Sequence, residues 1–410
     1  DNPAVAVLEA KQSFPDDYQF GRVRAVIAGR NAPQWSHPTW QGREQDVLLC
    51  PLTGFSLSEA REYLVENAPT RVALGEQPGE TVQALHAHTE GRPILLALLV
   101  DILHYREVQL AEIVEISSRK RLEEALVQWL HLIRPIDQAI YFMAHIAHRF
   151  DERILETIAS IKMFPPSELT QLFASVSRLS VVRTSSSQRD VLVLHDEMRR
   201  MVNDYCWPRE DPTKSFRSEL STLMIGHYNA RLATKPNEEL RESYLVEKLF
   251  HELFLDIDAG LASFSEQFRQ ALRLSQRAFA RSLLREVKKF DEERLLSREK
   301  QPQLSLAQRQ DLKVAEARLL VAEENPSAAL LIYQELERDL NWVQSHASDL
   351  LFFRGDCYFH TARYAEAIDS FEACLQLERA NSDQTRTAEI YNALGLIARR
   401  QARYREARDY

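Results

Sequence analysis

The sequence predicts a mainly α-helical protein with a short α/β segment at its beginning. Glycine is scarce, with 11 in 410 residues, which favours helices because glycine destabilises them. Helical hydrophobic periodicity continues from residue 213 to the end of the chain and includes a repeated motif. Short β-branched runs bounded by loop-forming residues are found mainly in residues 1–75.

The first 75 residues contain both strand and helix signals. Val5–Lys11 is interpreted as one or two helical turns. Val23–Ala28 is a β-branched run that leads into Gly29-Arg30, and it predicts a buried strand of a parallel sheet. Ser56 with Glu59 forms a capping-box pattern, which predicts that a helix begins directly after Ser56.

Residues 76–120 are predicted to be helical, with an interruption at Gly91-Arg92-Pro93. Pro93 suits the first turn of a helix, where its missing N–H has no intrahelical partner. The run from Pro93 to Ile102 is apolar enough for a buried helix and too short to cross a membrane.

Residues 121–207 predict a winged helix, because three helical patterns are followed by two short extended runs. The helical patterns are 121–132, 137–147 and 168–178, and the extended runs are Leu179–Arg183 and Val191–Leu194.

The C-terminal 100 residues contain an internal repeat. The pentapeptide Arg363-Tyr364-Ala365-Glu366-Ala367 recurs at residues 403–407, and residues 325–329 occupy the equivalent place upstream. The alanines Ala328, Ala367 and Ala407 are 39 and 40 residues apart. Residues 311–410 are therefore predicted to stack as helical repeats, whereas 208–310 is helical and leaves room for degenerate repeats.

This repeat resembles the tetratricopeptide repeat (TPR). The family pattern of Gly, Tyr, Ala, Phe and Ala is met by Gly355, Tyr358, Ala367 and Phe371, with Cys374 at the last position. The resemblance implies an α-solenoid that binds a protein or peptide ligand.

Three short motifs in the first half are candidates for a binding site. Arg30 follows the Val23–Ala28 strand, where its forked cationic head suits a phosphate. Gly91 and Pro93 shape a turn that presents an apolar surface. His195 is placed to donate a hydrogen bond to a phosphate, with Asp196 capping the next helix. Taken singly, Arg30 also fits a surface arginine, Gly91 and Pro93 also fit a plain helix start, and Asp196 also fits a plain helix cap.

Together, the three motifs in this order resemble the STAND class of signal-transducing ATPases, which includes the NB-ARC and NACHT proteins. The resemblance matches Arg30 to the sensor arginine after the Walker B strand, Gly91 and Pro93 to the Gly-x-Pro motif of the helical lid, and His195-Asp196 to the Met-His-Asp motif. It implies the end of an α/β nucleotide-binding domain in 1–75, a lid in 76–120 and a winged helix in 121–207.

The resemblance also implies an ATP/ADP cofactor, accompanied by Mg²⁺ in the intact protein, and a switch. In the family, ADP holds a closed monomer through the histidine, and exchange for ATP together with a ligand on the repeats allows ring-like homo-oligomers. Arg30 would sense phosphate, Pro93 would face the adenine and His195 would hold the closed state.

The sequence departs from the family pattern in two places. Leu194 replaces the methionine of the Met-His-Asp motif, and no Gly-x-x-x-x-Gly-Lys-Ser/Thr loop is present for the β- and γ-phosphates. We therefore expect the sequence to be part of a longer protein, truncated at both ends, and not to be an active ATPase by itself.

Two other functions stay open at this point. The chain could be a TPR scaffold for protein interaction without a nucleotide function, or part of an ATP-dependent transcriptional regulator. A net charge of −9 argues against nucleic-acid binding by this part of the chain. The four cysteines are scattered, with no disulfide or metal-ligand spacing, so we expect no metal site and a reducing, cytoplasmic location. Because the longest apolar run is too short to span a bilayer, we also expect no membrane association.

Overall fold

The computed structural model describes most of the chain, and its described residues form two compact units. The first unit comprises Asp1–Asp137 with Arg178–Val181, and the second comprises Gln138–Ser177 with Val182–Tyr410. The described residues are 4–10, 23–29, 47–51, 53–69, 79–105, 113, 115, 122–133, 136–146, 149–159, 169–184, 191–296, 303–381 and 384–410.

The first unit begins with a three-stranded antiparallel sheet. Its strands are β1 (Ala4–Ala10), β2 (Val23–Gly29) and β3 (Val47–Pro51), in the order β2-β1-β3. Ala4 lies opposite Gly29 on one side and opposite Pro51 on the other.

Two predictions for this segment are wrong. Val5–Lys11 does not form helical turns, since Ala4–Ala10 is a strand in which small and β-branched residues alternate, and this pattern suits a pleated surface. Val23–Gly29 is a strand as predicted, but its partner is antiparallel. A connection of about a dozen residues is at the lower limit for a parallel crossover, whereas an antiparallel pair accepts any loop.

Among the described residues of the first unit, four helices follow the sheet. The capping box at α1 is confirmed, because Ser56 N–H donates to Glu59 at 2.7 Å and Glu59 N–H donates to Ser56 at 3.3 Å. The apolar run after Pro93 is confirmed as a buried helix. The helices are α1 (Leu57–Asn67), α2 (Glu80–Thr89), α3 (Pro93–Tyr105) and α4 (Leu122–His131).

The second unit begins with helices and a hairpin. Phe150 exchanges two backbone hydrogen bonds with Leu192, of 3.0 and 2.8 Å, and so lies beside the hairpin as an isolated bridge. One helix, α6, was not predicted; its N-terminal cap is Asp151, which accepts from Ile154 N–H at 2.9 Å. The elements are α5 (Ile136–His145), α6 (Glu152–Ala159), α7 (Leu169–Val176) and the antiparallel strands β4 (Val182–Thr184) and β5 (Leu192–Leu194).

A single helical stretch leads from the hairpin towards the C-terminal helices. It consists of α8 (Asp196–Met201), a π-helical turn (Val202–Cys206) and α9 (Trp207–Glu210). The N–H of Trp207 donates to the carbonyl of Val202, five residues back. Pro208 has no N–H to donate within the helix, and the wider π turn ends two residues before it.

The rest of the second unit is helical, which confirms the mainly α fold class. Consecutive helices pack against each other and enclose a series of apolar clusters. The helices are α10 (Ser215–Ala233), α11 (Glu238–Leu255), α12 (Ile257–Arg273), α13 (Arg277–Leu296), α14 (Leu306–Ala322), α15 (Pro326–Leu336), α16 (Leu340–His360), α17 (Tyr364–Asn381), α18 (Gln384–Arg400) and α19 (Tyr404–Asp409).

Four of these helices end in the same left-handed turn. Ser275, Glu324, Ala362 and Ala402 have φ angles of 58°, 65°, 59° and 59°. At each turn the left-handed residue donates to a carbonyl three residues back, and the next residue donates five residues back, which is the Schellman pattern. The turn at Ser275 lies within 208–310, and degenerate repeats in this region stay a prediction.

The predicted contacts within the C-terminal repeats are present. Ala367, Phe371 and Cys374 are buried in one apolar cluster, with Tyr358 packed against it. A Cβ at Gly355 would lie 3.0 Å from the Phe371 ring, so the small residue lets α16 approach α17 closely.

Buried polar groups join the start of the second unit to its helical region. Ser221 on α10 lies between two histidines, with its Oγ 2.8 Å from His145 Nε2 and 3.1 Å from His251 Nδ1. Nearby, the buried Arg217 forms an ion pair with Asp211, with 3.3 Å between Nε and Oδ2. These contacts connect α5, α10 and α11 in places where water has little access.

Two glycines in neighbouring hairpins should respond in opposite directions to alanine. A Cβ at Gly260 would lie 2.7 Å from the backbone nitrogen of Leu253, whereas a Cβ at the exposed Gly226 meets nothing within 4 Å. We expect Gly260→Ala to lower the free energy of unfolding by about 1–3 kcal/mol, because α11 and α12 must separate. Gly226→Ala should raise it by about 0.5–1 kcal/mol. Urea unfolding followed by circular dichroism measures both; equal effects would contradict the packing described.

Acid should destabilise the second unit through His145. Burial lowers the pKa of His145 well below its usual value of 6.5, and the nearby His251 and Arg217 lower it further. Below about pH 6.5 the unfolded chain therefore binds a proton on His145, whereas the folded chain does not. The free energy of unfolding should fall by about 1.4 kcal/mol per pH unit from this group.

The control for this prediction is His145→Gln, which replaces the imidazole beside Ser221 with an uncharged amide and removes the titration. Urea unfolding between pH 7.5 and 5.5 should give a shallower pH slope for the variant than for the unaltered chain. Identical slopes would show that His145 does not carry the effect.

Candidate functional site

The Gly-x-Pro segment forms a tight turn between α2 and α3. Glu90 and Gly91 both have left-handed backbone, with φ angles of 52° and 66°. Arg92 N–H then donates to Thr89 at 2.9 Å, and α3 begins at Pro93. The turn places Pro93, which is exposed, at the N-terminal end of a helix whose following turns are buried.

The loop that precedes α1 packs directly on this turn. Phe55 N–H donates to the Gly91 carbonyl at 2.8 Å, and His86 Nε2 lies 2.7 Å from the Phe55 carbonyl. A Cβ on Gly91 would lie 2.1 Å from the Phe55 carbonyl oxygen, and one on Gly54 would lie 2.6 Å from that of Glu90. Only glycine fits at Gly91, because both the backbone angle and the space exclude a side chain.

Other contacts hold the same helices together. His104 Nε2, near the end of α3, lies 2.7 Å from the carbonyl of Asn67 at the end of α1. The buried Asp101 of α3 accepts from the backbone N–H and the hydroxyl of Ser180, at 2.7 and 2.9 Å. Burial raises the pKa of Asp101, while its hydrogen bonds to Ser180 lower it.

His195 is itself the N-cap of α8. Its Nδ1 accepts from the backbone N–H of Glu197 at 3.3 Å, and Asp196 is the first residue of the helix. The prediction that Asp196 would be the cap is therefore wrong. A ring nitrogen that accepts carries no proton, so in the neutral ring the proton sits on Nε2, which becomes the donor.

Arg199 fixes the helix that His195 begins. Its backbone N–H donates to the His195 carbonyl at 2.9 Å, and its side chain is only 6% exposed. Burial lowers the pKa of Arg199, and carboxylates around it raise the pKa. These carboxylates are Glu293, Asp196, Glu247 and Glu286. These carboxylates belong to α8, α11 and α13, and their electrostatic attraction partly offsets the cost of burying Arg199.

The predicted site residues are distributed over two units. Gly91 and Pro93 lie in one turn of the first unit, and His195 lies in the second. Arg30 lies outside the described residues. Sequence reasoning missed Gly54, whose signal was the Gly-Phe pair directly before the capping box. It also missed Arg199, since a basic residue on a short helix ordinarily predicts a solvated face.

The described residues contain no group of three or more His, Cys, Asp or Glu side chains arranged for a metal ion. Within the same ranges, no helix combines the length and the apolar composition that crossing a membrane requires.

Comparison with known proteins supports the C-terminal repeats. The family model of the tetratricopeptide repeat matches residues 347–410, which confirms the TPR prediction for this part. The comparison with curated proteins gives no match.

One solved structure is similar to the chain. It is the crystal structure of a Signal Transduction ATPase with Numerous Domains (STAND) protein with a tetratricopeptide repeat sensor, from Pyrococcus horikoshii. The two sequences are 13% identical, and the match covers 88% of this chain and 59% of that one, with a TM-score of 0.29. The chain thus spans less than two thirds of the length of that protein.

Substitutions at Glu90 and Gly91, the two left-handed residues of the turn, should change stability in different ways. Gly91→Ala should lower the free energy of unfolding of the first unit by about 2–4 kcal/mol, because the strained backbone and the clash with Phe55 act together. Glu90→Gly should be neutral or stabilising by up to about 1 kcal/mol, since glycine adopts this backbone without strain. Hydrogen exchange of the amides in 53–69 and 79–105 measures both, and faster exchange in both variants would argue against this geometry.

Proposed function

We propose that the chain is the regulatory and sensor part of a nucleotide-dependent signalling switch. One state of the switch would be stabilised by ADP and the other by ATP together with a protein or peptide ligand on the TPR repeats. Activation would allow homo-oligomerisation. In this proposal the protein acts in the cytoplasm.

The observation that carries the proposal is the orientation of the His195 ring. Because Nδ1 accepts from Glu197, Nε2 is the nitrogen that can donate, and a phosphate oxygen is a suitable acceptor for it.

The Gly91 turn adds a second element of the implied nucleotide site. Pro93 is exposed at the start of α3, while the residues after it are buried, so a flat apolar group has access to the proline face. An adenine ring has this shape. We therefore propose Pro93 as the residue that faces the adenine of ADP or ATP, His195 as a donor to its phosphate and Arg30 as the phosphate sensor. Mg²⁺ and the β- and γ-phosphates would be held by groups that this sequence does not contain.

Arg199 supports a connection between the nucleotide residue and the sensor. It lies one helical turn from His195 and is buried among carboxylates of α8, α11 and α13. A rearrangement of these helices would move a buried charge, which is costly unless its partners move with it. A ligand on the repeats would in this way bias the position of α8.

A TPR scaffold without nucleotide function is the second candidate. It is favoured by the TPR family match at residues 347–410. A nucleotide titration on a chain extended upstream of Asp1 separates the two candidates, because a scaffold binds neither ADP nor ATP.

Two substitutions at His195 test the switch in that extended chain. His195→Ala removes the ring and the cap, whereas His195→Asp retains a cap acceptor and places a negative charge near the phosphate. We expect both variants to release bound ADP at least about tenfold faster, as for the loss of a charge-assisted hydrogen bond, and to oligomerise without ligand.

The measurements are the dissociation rate of a fluorescent ADP analogue and the mass distribution by light scattering. A slow dissociation rate and a monomer in both variants would contradict the role given to His195. A loss in His195→Ala alone would indicate that only the helix cap matters.

A further inference from the structure

A cavity of about 500 Å³ opens in the second unit, where the first described TPR-like helices pack. This volume is in the range of small-molecule binding sites. Its walls come from α14, α15 and α16, with contributions from the end of α12 and the start of α13. Arg277, Arg318, Glu324, Tyr333, Asp356 and His360 line it, together with apolar side chains.

Charged side chains of both signs line the cavity wall. Arg277 is paired with Glu324 at 3.3 Å, and His360 lies 3.6 Å from Asp356. Among the described residues no carboxylate lies within ion-pair distance of Arg318, and Asp356 attracts it only from further away. Most of the Arg318 side chain is nevertheless removed from water, and this desolvation lowers its pKa. A guanidinium stays protonated in proteins, so Arg318 keeps its charge and its N–H donors in the cavity.

Tyr333 supplies a hydroxyl beside this cation. The side chain is 1% exposed, and its OH has no hydrogen-bond partner in the part of the chain that the structure describes. Burial raises the pKa of Tyr333, so the hydroxyl keeps its proton and remains a donor. A buried donor without an acceptor is unfavourable, and an oxygen atom in the cavity would satisfy it.

An aromatic surface adjoins the two donors. Phe353 stacks on Tyr333 with 6.3 Å between ring centroids, and the Arg318 guanidinium lies over the Phe353 ring at 4.9 Å. Phe352 lies on the same wall. A ligand with an apolar or aromatic group would bury it against these rings.

We propose that this cavity binds a small organic monocarboxylate that carries an apolar or aromatic group. The carboxylate accepts hydrogen bonds from Arg318 and Tyr333, and the apolar group packs against Phe353. The carboxyl groups of Asp356 and Glu324 on the same wall disfavour a doubly charged phosphate, since like charges repel in a partly dry site. The idea that this acid is the sensed ligand rests on the sensor role proposed above, whereas its binding to the cavity does not.

Isothermal titration of the 410-residue chain with 3-phenylpropionate tests the proposal. The neutral 3-phenylpropionamide is the matched probe, because it has the same ring and lacks the charge. We expect the acid to bind and the amide to bind at least about tenfold more weakly. A short peptide that ends in phenylalanine, with a free or an amidated C-terminus, distinguishes a chain end from a free acid as the source of the carboxylate.

Three variants assign the binding to the cavity. Arg318→Met should weaken binding of the acid at least about tenfold, and Tyr333→Phe, which removes one oxygen from a packed ring, about threefold to tenfold. Arg405→Met makes the same change on an exposed arginine of α19 and should have no effect. Circular dichroism checks that each variant is folded.

Equal binding of acid and amide, or unchanged affinity in both Arg318→Met and Tyr333→Phe, would overturn the proposal. The titration contains no nucleotide, so its failure leaves the His195 predictions intact. Conversely, an unaltered ADP dissociation rate in the His195 variants would leave carboxylate binding untouched.

Discussion

The left-handed residue at the end of a helix is the constraint on which most of this structure depends. One such residue lets the chain reverse within two or three positions, so that consecutive helices pack side by side. The turns at Ser275, Glu324, Ala362 and Ala402 close the hairpins of the second unit in this way. Between α2 and α3 of the first unit, Gly91 and the residue before it are both left-handed. Without these turns, consecutive amphipathic helices would not reverse direction and could not pack their apolar faces against each other.

The cost of the turn differs between its two uses. In the repeats the left-handed position is taken by serine, glutamate or alanine, so each turn stores about 1–2 kcal/mol of strain that helix packing must outweigh. At Gly91 no such exchange is possible, because the Phe55 carbonyl occupies the place of a side chain. The repeats thus tolerate change at the turn, whereas the Gly91 turn requires one residue type. The tolerant turns join helices whose role is packing, whereas the Gly91 turn shapes the surface next to Pro93.

Buried charges and histidines lie between the helices of the second unit. Arg199 lies within one turn of His195, and the His145–Ser221–His251 contacts join α5 to α10 and α11. Such groups stabilise a structure less than apolar residues would, but they favour one arrangement because any other leaves them without partners. A unit built in this way has few intermediate arrangements, which suits an element with two states.

The sequence alone determined the helical fold class, the capping box at Ser56 and the TPR pattern around Gly355. Periodicity, caps and small residues at close contacts are local signals, and each acts within one or two helices. Tertiary structure decided the antiparallel pairing of the first sheet, the cap role of His195 and the carboxylates around Arg199. Strand direction, ring orientation and the burial of a charge depend on residues far apart in the chain, and no local pattern encodes them. The surroundings of Arg318 belong to the same group, since the other charged residues of its cavity come from α13, α16 and the turn after α14.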